Sequence, residues 1–399
     1  MVETMEIPRG FKKTDVGIIP NDWLLVSYDE LFDFLTTATY SRSQLSENDT
    51  IKYVHYGDIH TKCVHFLDCD KIDLPSIKNE LLKNYPLLKD GDLIVVDASE
   101  DYEGVGKSVE VKNLKNKKAI SGLHTFLLRD KKEVITNGFK GYIQPNSLVK
   151  KQMDTLATGM KVYGVSKTNL KLIKIPLPPT KIEQTAIAEA LNDADALITQ
   201  LEKLIAKRRA IKQGAMQELL KPKEGWEVKP MGQIAELYQP VTISQEQFTD
   251  NGYLVYGANG IVGKYGKYNH ELWQTTITCR GSTCGTVNKT INKCWITGNA
   301  MVANVDKNTN IDKLFFYFLL TKQDFSSCIT GSGQPQIVRK PLSEFELSFP
   351  KEKSEQIRIA QILSDMDAEI EALEKKLDKY KMLKQGMMQN LLTGRIRLI

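Results

Sequence analysis

Residues 181–220 read KIEQTAIAEALNDADALITQLEKLIAKRRAIKQGAMQELL, and residues 353–392 read KSEQIRIAQILSDMDAEIEALEKKLDKYKMLKQGMMQNLL. At a constant offset of 172, 21 of the 40 positions are identical. In the first copy Ile187, Leu191, Ala194, Ile198, Leu201 and Ile205 follow a strict 4,3,4,3,4 spacing, and in the second Ile359, Leu363, Met366, Ile370, Leu373, Leu377 and Tyr380 continue the same alternation. Apolar residues recurring every 3.5 positions form a helical seam that one helix cannot bury alone. The other copy is the obvious partner. If the halves are related by a pseudo-two-fold axis, the seams close as an antiparallel coiled coil. Pro178 and Pro179 before the first copy, and Pro350 before the second, suit segments leading into helix starts.

The duplication extends outward. Thr158-Gly159 aligns with Thr330-Gly331, Leu170 with Leu342, and LIKIPLPP with FELSFPKE. Further upstream the offset drifts: NKKAISGLHTFLLR from Asn116 matches NKCWITGNAMVANV from Asn292 at 176, Tyr53–Gly57 matches Tyr253–Gly257 at 200, and Asp22-Trp23 faces Gly225-Trp226 at 203. Drifting offsets mean loop insertions, so the first globular block is the longer. The order is globular (1–176), helix (177–221), globular (222–350), helix (351–399). Short apolar or β-branched runs broken by Gly, Asn and Asp, such as DLIVVDAS, YLVYGANG and QTTITCRGS, predict an α+β class with two mixed, largely β domains. The run IDKLFFYFLLTKQDF predicts a helix packed on the second sheet.

Composition narrows the function. No run approaches the roughly 18 uninterrupted apolar residues of a membrane span, and the start MVETMEIPRG lacks the basic-then-apolar layout of a secretion signal. A soluble, cytoplasmic protein is expected. Six cysteines form no CxxC pair and five histidines no HExxH cluster, so neither a metal site nor a disulfide framework is expected. The net charge of +5 is modest, but its distribution is uneven. Residues 1–100 carry 10 Lys/Arg against 18 Asp/Glu, whereas 101–150 carry 10 against 5 and 251–300 carry 5 against 1. Two separated basic segments fit two footprints on a phosphate backbone, although solvated surface faces carry such charge as well.

The opening GFKKTDVGIIPNDW, the paired PLPPTKIEQTAIAEALNDADALI and SFPKEKSEQIRIAQILSDMDAEI, the helix ends KQGAMQELL and KQGMMQNLL, the string TGNAMVANV and the closing LLTGRIRL together resemble the specificity subunit of type I restriction-modification systems, the S subunit or HsdS family. The resemblance covers essentially the whole chain. It implies two target recognition domains, each reading one half of a bipartite, asymmetric double-stranded DNA sequence, with the helices fixing the gap. Helices of about 40 residues span roughly 60 Å, enough to hold two readers about one DNA turn apart, roughly 34–36 Å. It also implies two methylation subunits that use S-adenosylmethionine to modify adenine at N6, and restriction subunits that use ATP and Mg2+. No cofactor is expected on this chain, and the helices are where the methylation subunits would dock. Glu183, Gln184, Asp193, Asp195, Gln213 and Gln217, repeated as Glu355, Gln356, Asp365, Asp367, Gln385 and Gln389, are docking candidates. Inheritance from the duplication accounts for their repetition equally well.

Catalytic signatures of the partners are missing here. There is no NPPF- or DPPY-like motif, and Gly106-Lys107-Ser108 fails as a phosphate loop because Asp101 stands where GxxxxGK[ST] needs glycine. The chain is therefore expected to be a non-catalytic recognition subunit. The alternatives are a methylation-only or type II-like complex of the same architecture, or a coiled-coil scaffold.

Base-reading candidates are polar, basic and aromatic residues on turns of the globular blocks. In the second block these are Tyr256, Asn259, Lys264, Tyr265, Lys267, Arg280, Ser282, Thr283, Ser332, Gln334, Gln336 and Arg339. Arg280 leads them, since arginine suits a bidentate contact with guanine and glutamine does the same for adenine. The first block offers Tyr56, His60, Lys62, Lys107, Ser108, His124, Lys161 and Tyr163, with Asp97 standing about where Arg280 stands in the second. Unlike loops predict unlike half-sites.

Overall fold

The computed structural model describes residues 7–47, 49–100, 104–159, 163–331 and 334–398. It divides into two compact units, one of Met1–Gln200 with Leu377–Ile399 and one of Leu201–Lys376. Each is α+β, and each takes part of both long helices, Lys181–Leu219 and Lys353–Leu391.

The first unit is organised by Leu93–Val96, whose four side chains are all buried. A continuous apolar strand has to be covered on both faces, and its period of two sends alternate residues to different cores. Leu93 and Val95 join Trp23, Tyr28, Phe32 and Tyr142, whereas Ile94 and Val96 join Val54, Ile59 and Leu67. Around it the five-stranded sheet runs in the order Phe32–Leu35, Thr125–Asp130, Leu93–Val96, Ser108–Lys112, Phe66–Asp68, antiparallel except for its last pair. A second sheet of four strands carries Ile51–Val54 beside Lys118–Ser121. Where the matching stretch Tyr253–Gly257 is one strand, the strand Ile51–Val54 stops and Tyr56–Lys62 is a short helix capped by His55, whose Nδ1 accepts from Gly57 N at 3.1 Å.

The second unit uses the same grammar with fewer strands. Its four-stranded antiparallel sheet runs Glu236–Tyr238, Ala300–Asn304, Thr275–Thr278, Val287–Lys289. Met301 and Ala303 face one core while Ala300 and Val302 face another. The helix Lys313–Thr321 starts at Asp312, whose side chain accepts from Phe315 N, and lies against the strand Val287–Lys289.

In both units a strand leading into a long helix is held by a strand that follows a tryptophan or begins with one. Lys174–Leu177 pairs with Leu24–Ser27, just after Trp23, and Glu346–Pro350 pairs with Trp226–Pro230. The helix starts are pinned alike. Gln184 Oε1 accepts from Thr136 N at 2.8 Å and its Nε2 donates to Pro178 O at 3.0 Å. Gln356 Oε1 accepts from Asp312 N at 2.8 Å and its Nε2 donates to Pro350 O at 2.8 Å. Ile187 and Leu191 then enter the first core, where Leu391 and Leu392 also sit, and Ile359 and Leu363 enter the second beside Leu220. Leu201, Ile205 and Ile370 are buried, and Ala194, Ile198, Met366, Leu373, Leu377 and Tyr380 are half-buried. No helix among the described residues is long and apolar enough to cross a membrane.

Candidate nucleic-acid interface

Two segments of the second unit, far apart in sequence, are laced into a small three-stranded patch. Ile329–Thr330 pairs antiparallel with Gln336–Ile337, and Gln336 in turn faces Arg280 across an antiparallel bridge. Ile337 N donates to Cys279 O at 3.0 Å and Gly281 N to Pro335 O at 3.2 Å, bonds that flank the Arg280–Gln336 pair without belonging to it. Residues so placed are a non-hydrogen-bonded pair, the closer of the two antiparallel spacings, and their side chains share a face. Cys279 and Ile337 are buried in the core and Ile329 packs against it. Arg280, Gln336 and Thr330 therefore form the outward row, with Arg280 and Thr330 exposed and Gln336 half-buried.

Of the other candidates in this unit, Ser282 and Thr283 lie exposed on the adjoining turn, and Gln334 is exposed beside the row. Asn259, Lys264 and Tyr265 sit on the hairpin Tyr253–Gly257/Gly260–Tyr265, and Lys267 follows it; Asn259 Oδ1 accepts from Asn288 Nδ2 at 3.2 Å. Arg339 opens the short helix Arg339–Glu344 and lines a different, polar cleft with Lys307 and Asn310. Tyr256 is a correction: it is 7% exposed and packed with Cys294, Ile296 and Val302, because its strand position points inward. Ser332 and Lys161 lie outside the described residues.

The first unit gathers its candidates around a cleft of about 450 Å³ lined by Tyr56, His60, Ser99, Glu100 and Lys107. His124 stands edge-on to Tyr56 at 5.3 Å, and its Nδ1 is 3.1 Å from Asp97 Oδ1. Burial pushes the Asp97 carboxyl up, and neighbouring His124 opposes that shift. Lys107 Nζ donates to His60 O at 3.1 Å. Lys62 is turned away onto Asp58, at 3.1 Å, and the Asp73 carbonyl, at 2.9 Å. Tyr163 faces Ser99 across a short antiparallel pair. Ser108 is a second correction, since it is 2% exposed within its strand.

The alignment of Asp97 with Arg280 is also corrected, by one residue. Asp97 N donates to His124 O and Asp97 O accepts from Val165 N; Cys279 N donates to Asn299 O and Cys279 O accepts from Ile337 N. Asp97 thus occupies the place of Cys279, and the counterpart of Arg280 is Ala98, which pairs with Gly164 as Arg280 pairs with Gln336. In a strand a slip of one residue exchanges faces. The first unit's row is accordingly Ala98, Gly164 and Thr158, with neither guanidinium nor amide.

The repeated polar residues of the helices separate into two groups. Glu183, Gln184 and Gln356 are at most 2% exposed, so burial removes them from any docking surface. Glu183 is held by Arg397, which also grips Asp22 through Nη1 at 3.0 Å and Nη2 at 2.9 Å. Asp195 accepts from Tyr142 at 3.0 Å and pairs with Lys384 at 2.5 Å in the first unit, and Asp367 pairs with Lys212 in the second. Asp193, Gln213, Gln217, Asp365, Gln385 and Gln389 are exposed and Glu355 is half-buried. Lys212 and Lys384 were not among the candidates, though both stand at the same place in the repeat and so carried the signal.

A family model for the type I restriction modification DNA specificity domain matches residues 20–213 and again residues 223–380. The chain belongs to the type I restriction-modification DNA specificity family, and its role is that of a specificity subunit. It is similar to a provisionally named type I restriction enzyme MjaX specificity subunit of Methanocaldococcus jannaschii, with 26% identity over 98% of this chain and 97% of that one. It is 30% identical to the MjaVIII specificity subunit of the same organism over 48% of this chain and 43% of that one. In fold it resembles the S subunit of the type I system from M. genitalium, with a TM-score of 0.60, 16% identity and coverage of 97% and 98% of the two chains. A chain from a structural study of complex assembly and conformational transition of the type I R-M system gives a TM-score of 0.56 at 15% identity, covering 95% and 99%.

Proposed function

We propose that this specificity subunit reads a bipartite, asymmetric DNA target, one half with each globular domain, while its two long helices lie antiparallel as a coiled coil and set the gap. The observation that carries this reading is a reciprocal ion pair. Asp195 and Asp367 are the same position of the repeat, as are Lys212 and Lys384, and the pairs formed are Asp195–Lys384 and Lys212–Asp367. Exchange of partners between equivalent positions is the mark of a two-fold, self-complementary contact. The further pairs Arg208–Glu369 and Arg209–Glu374 favour the same direction of packing in the second unit. Unlike outward rows, Arg280–Gln336–Thr330 against Ala98–Gly164–Thr158, favour unlike half-sites.

In this reading the chain supplies recognition and its partners supply chemistry. Two methylation subunits bring S-adenosylmethionine, restriction subunits bring ATP and Mg2+, and the exposed helix residues Asp193, Gln213, Gln217, Asp365, Gln385 and Gln389 offer polar contacts to the methylation subunits. Co-expression with a methylation subunit, followed by sequencing of N6-methyladenine across the host genome, tests it. The expected result is one motif of two unlike halves separated by a fixed gap. An uninterrupted motif, or two identical halves, would overturn it.

A further inference from the structure

We infer that Arg280 and Gln336 read neighbouring base pairs within one half-site, Arg280 a guanine and Gln336 an adenine; this rests on the chain's reading a two-part DNA target. Directly opposed residues in a non-hydrogen-bonded antiparallel pair have Cα atoms about 4.5 Å apart and side chains standing side by side. Successive bases on a strand are about 3.4 Å apart. A guanidinium and a carboxamide issuing in parallel at that spacing meet two adjacent base edges, and either side chain can adjust to the small mismatch. The chemistry of the ends fits this use. The arginine fork donates twice to guanine O6 and N7, and the glutamine amide both donates and accepts at adenine N7 and N6.

The mounting is rigid, as a reading head requires. On the inner side of the same strands Cys279 and Ile337 are 0% and 1% exposed, which fixes the direction in which the outer row points. Thr330 Oγ1 donates to Gln336 O at 3.2 Å and braces the middle strand. Arg280 forms no ion pair among the described residues, so its fork is not already spent on a carboxylate, unlike that of Arg129 on Asp92 or Arg397 on Asp22. In the first unit the two equivalent places hold Ala98 and Gly164, which cannot donate from a side chain. Discrimination by this pair is thus confined to the half-site of the second unit.

The experiment uses the complex of the full chain with its methylation subunit and reads the methylated motif for wild type, Arg280→Ala, Arg280→Lys and Gln336→Ala. Both arginine variants are expected to lose roughly tenfold or more of the discrimination at one base pair, since lysine keeps the charge but not the fork. Gln336→Ala is expected to do so at the base pair beside it, with the other half-site and the gap unchanged. Thermal unfolding midpoints matching wild type separate lost selectivity from lost folding. The inference is overturned if Arg280→Lys keeps full selectivity while Arg280→Ala weakens methylation of all sequences alike, which assigns Arg280 to phosphate. It is equally overturned if the relaxed positions are not adjacent, or if a selective wild type is matched by selective variants. A wild-type complex that methylates no defined two-part sequence overturns the underlying reading instead.

Discussion

His65 Nε2 lies 3.0 Å from the ammonium of Lys384, so the imidazole accepts there and is held neutral, with its proton on Nδ1. Burial against Phe66 and Tyr142 is the larger reason, and Lys384 adds to it, with Lys107 in the same sense and Asp195 opposing; together they push the His65 pKa down to about 4. Above pH 6.5 neither the folded nor the unfolded chain protonates this ring, and its neutrality costs nothing. Between 6.5 and about 4 the unfolded chain takes up a proton that the native one refuses, so stability falls as pH falls, by about 3 kcal/mol in all. His65→Gln, which still accepts from Lys384, is expected to remove that part of the acid slope. Denaturant unfolding at pH 7, 6, 5 and 4 measures it.

Lys384 has a second tie, to Asp195, and this pair is more sheltered than the ion pairs on the outer faces of the helices. Its side chains are 13% and 32% exposed, against 64% and 40% for Arg209–Glu374. Screening weakens exposed pairs to about 0.2–1 kcal/mol. A double-mutant cycle with Lys384→Met and Asp195→Asn is expected to give a coupling of about 1–2 kcal/mol, and the Arg209/Glu374 cycle under 1 kcal/mol. Equal couplings would mean that burial is not what distinguishes them.

The helices were legible because their signal is local and redundant: a heptad survives any single substitution, and the copy at an offset of 172 repeats it. The β-rich character of the domains was legible too, in runs such as LIVV at Leu93–Val96. Strand register was not. The one-residue misplacement of Asp97 against Arg280 arose because matched strings fix neighbourhoods, whereas faces alternate at every residue. Gln184 and Gln356 were misjudged for another reason. A polar residue kept in both copies reads the same whether it greets a partner or pins a buried backbone, and only the N–H groups of Thr136 and Asp312 that donate to these amides, invisible in sequence, decide between them. Tyr53–Gly57 and Tyr253–Gly257 show the limit of string similarity, since nearly the same letters leave a strand at Val54 and enter a helix at Tyr56 in one place and remain strand throughout in the other.

Those glutamines make a paired prediction. Gln184→Ala and Gln356→Ala each strand a backbone N–H and a proline carbonyl, and an unsatisfied buried group costs about 1–3 kcal/mol. Each variant is expected to lose about 2–3 kcal/mol by denaturant unfolding, and by similar amounts, because the two bond sets are alike. A loss in only one copy would show that the pin matters in one domain alone.

Arg397 predicts an effect of the opposite kind in combination. Removing it leaves Glu183, 1% exposed, as a buried carboxylate with no cation, a change that typically costs about 3–5 kcal/mol. Arg397→Met with Glu183→Gln removes both charges and is expected to be markedly more stable than Arg397→Met alone. Unfolding midpoints of the two variants, compared at one pH and salt concentration, measure the difference.

The spacer role proposed for the two helices makes the most direct demand on DNA. A heptad advances a helix by about 10 Å at 1.5 Å per residue, and it returns the seam to nearly the same face, drifting only about 20°. Deleting one heptad from both helices together keeps apolar residues opposed, so the pair still closes. The methylated motif is then expected to keep both half-sites and to shorten its gap by about three base pairs, the nearest whole number to 10 Å at roughly 3.4 Å per step. Deleting two residues from each instead rotates everything beyond the cut by about 200°, which turns the seam away from its partner, and is expected to abolish methylation without yielding a new gap. If the heptad deletion leaves the gap as it was, the distance between half-sites is set by the domains and not by the helices.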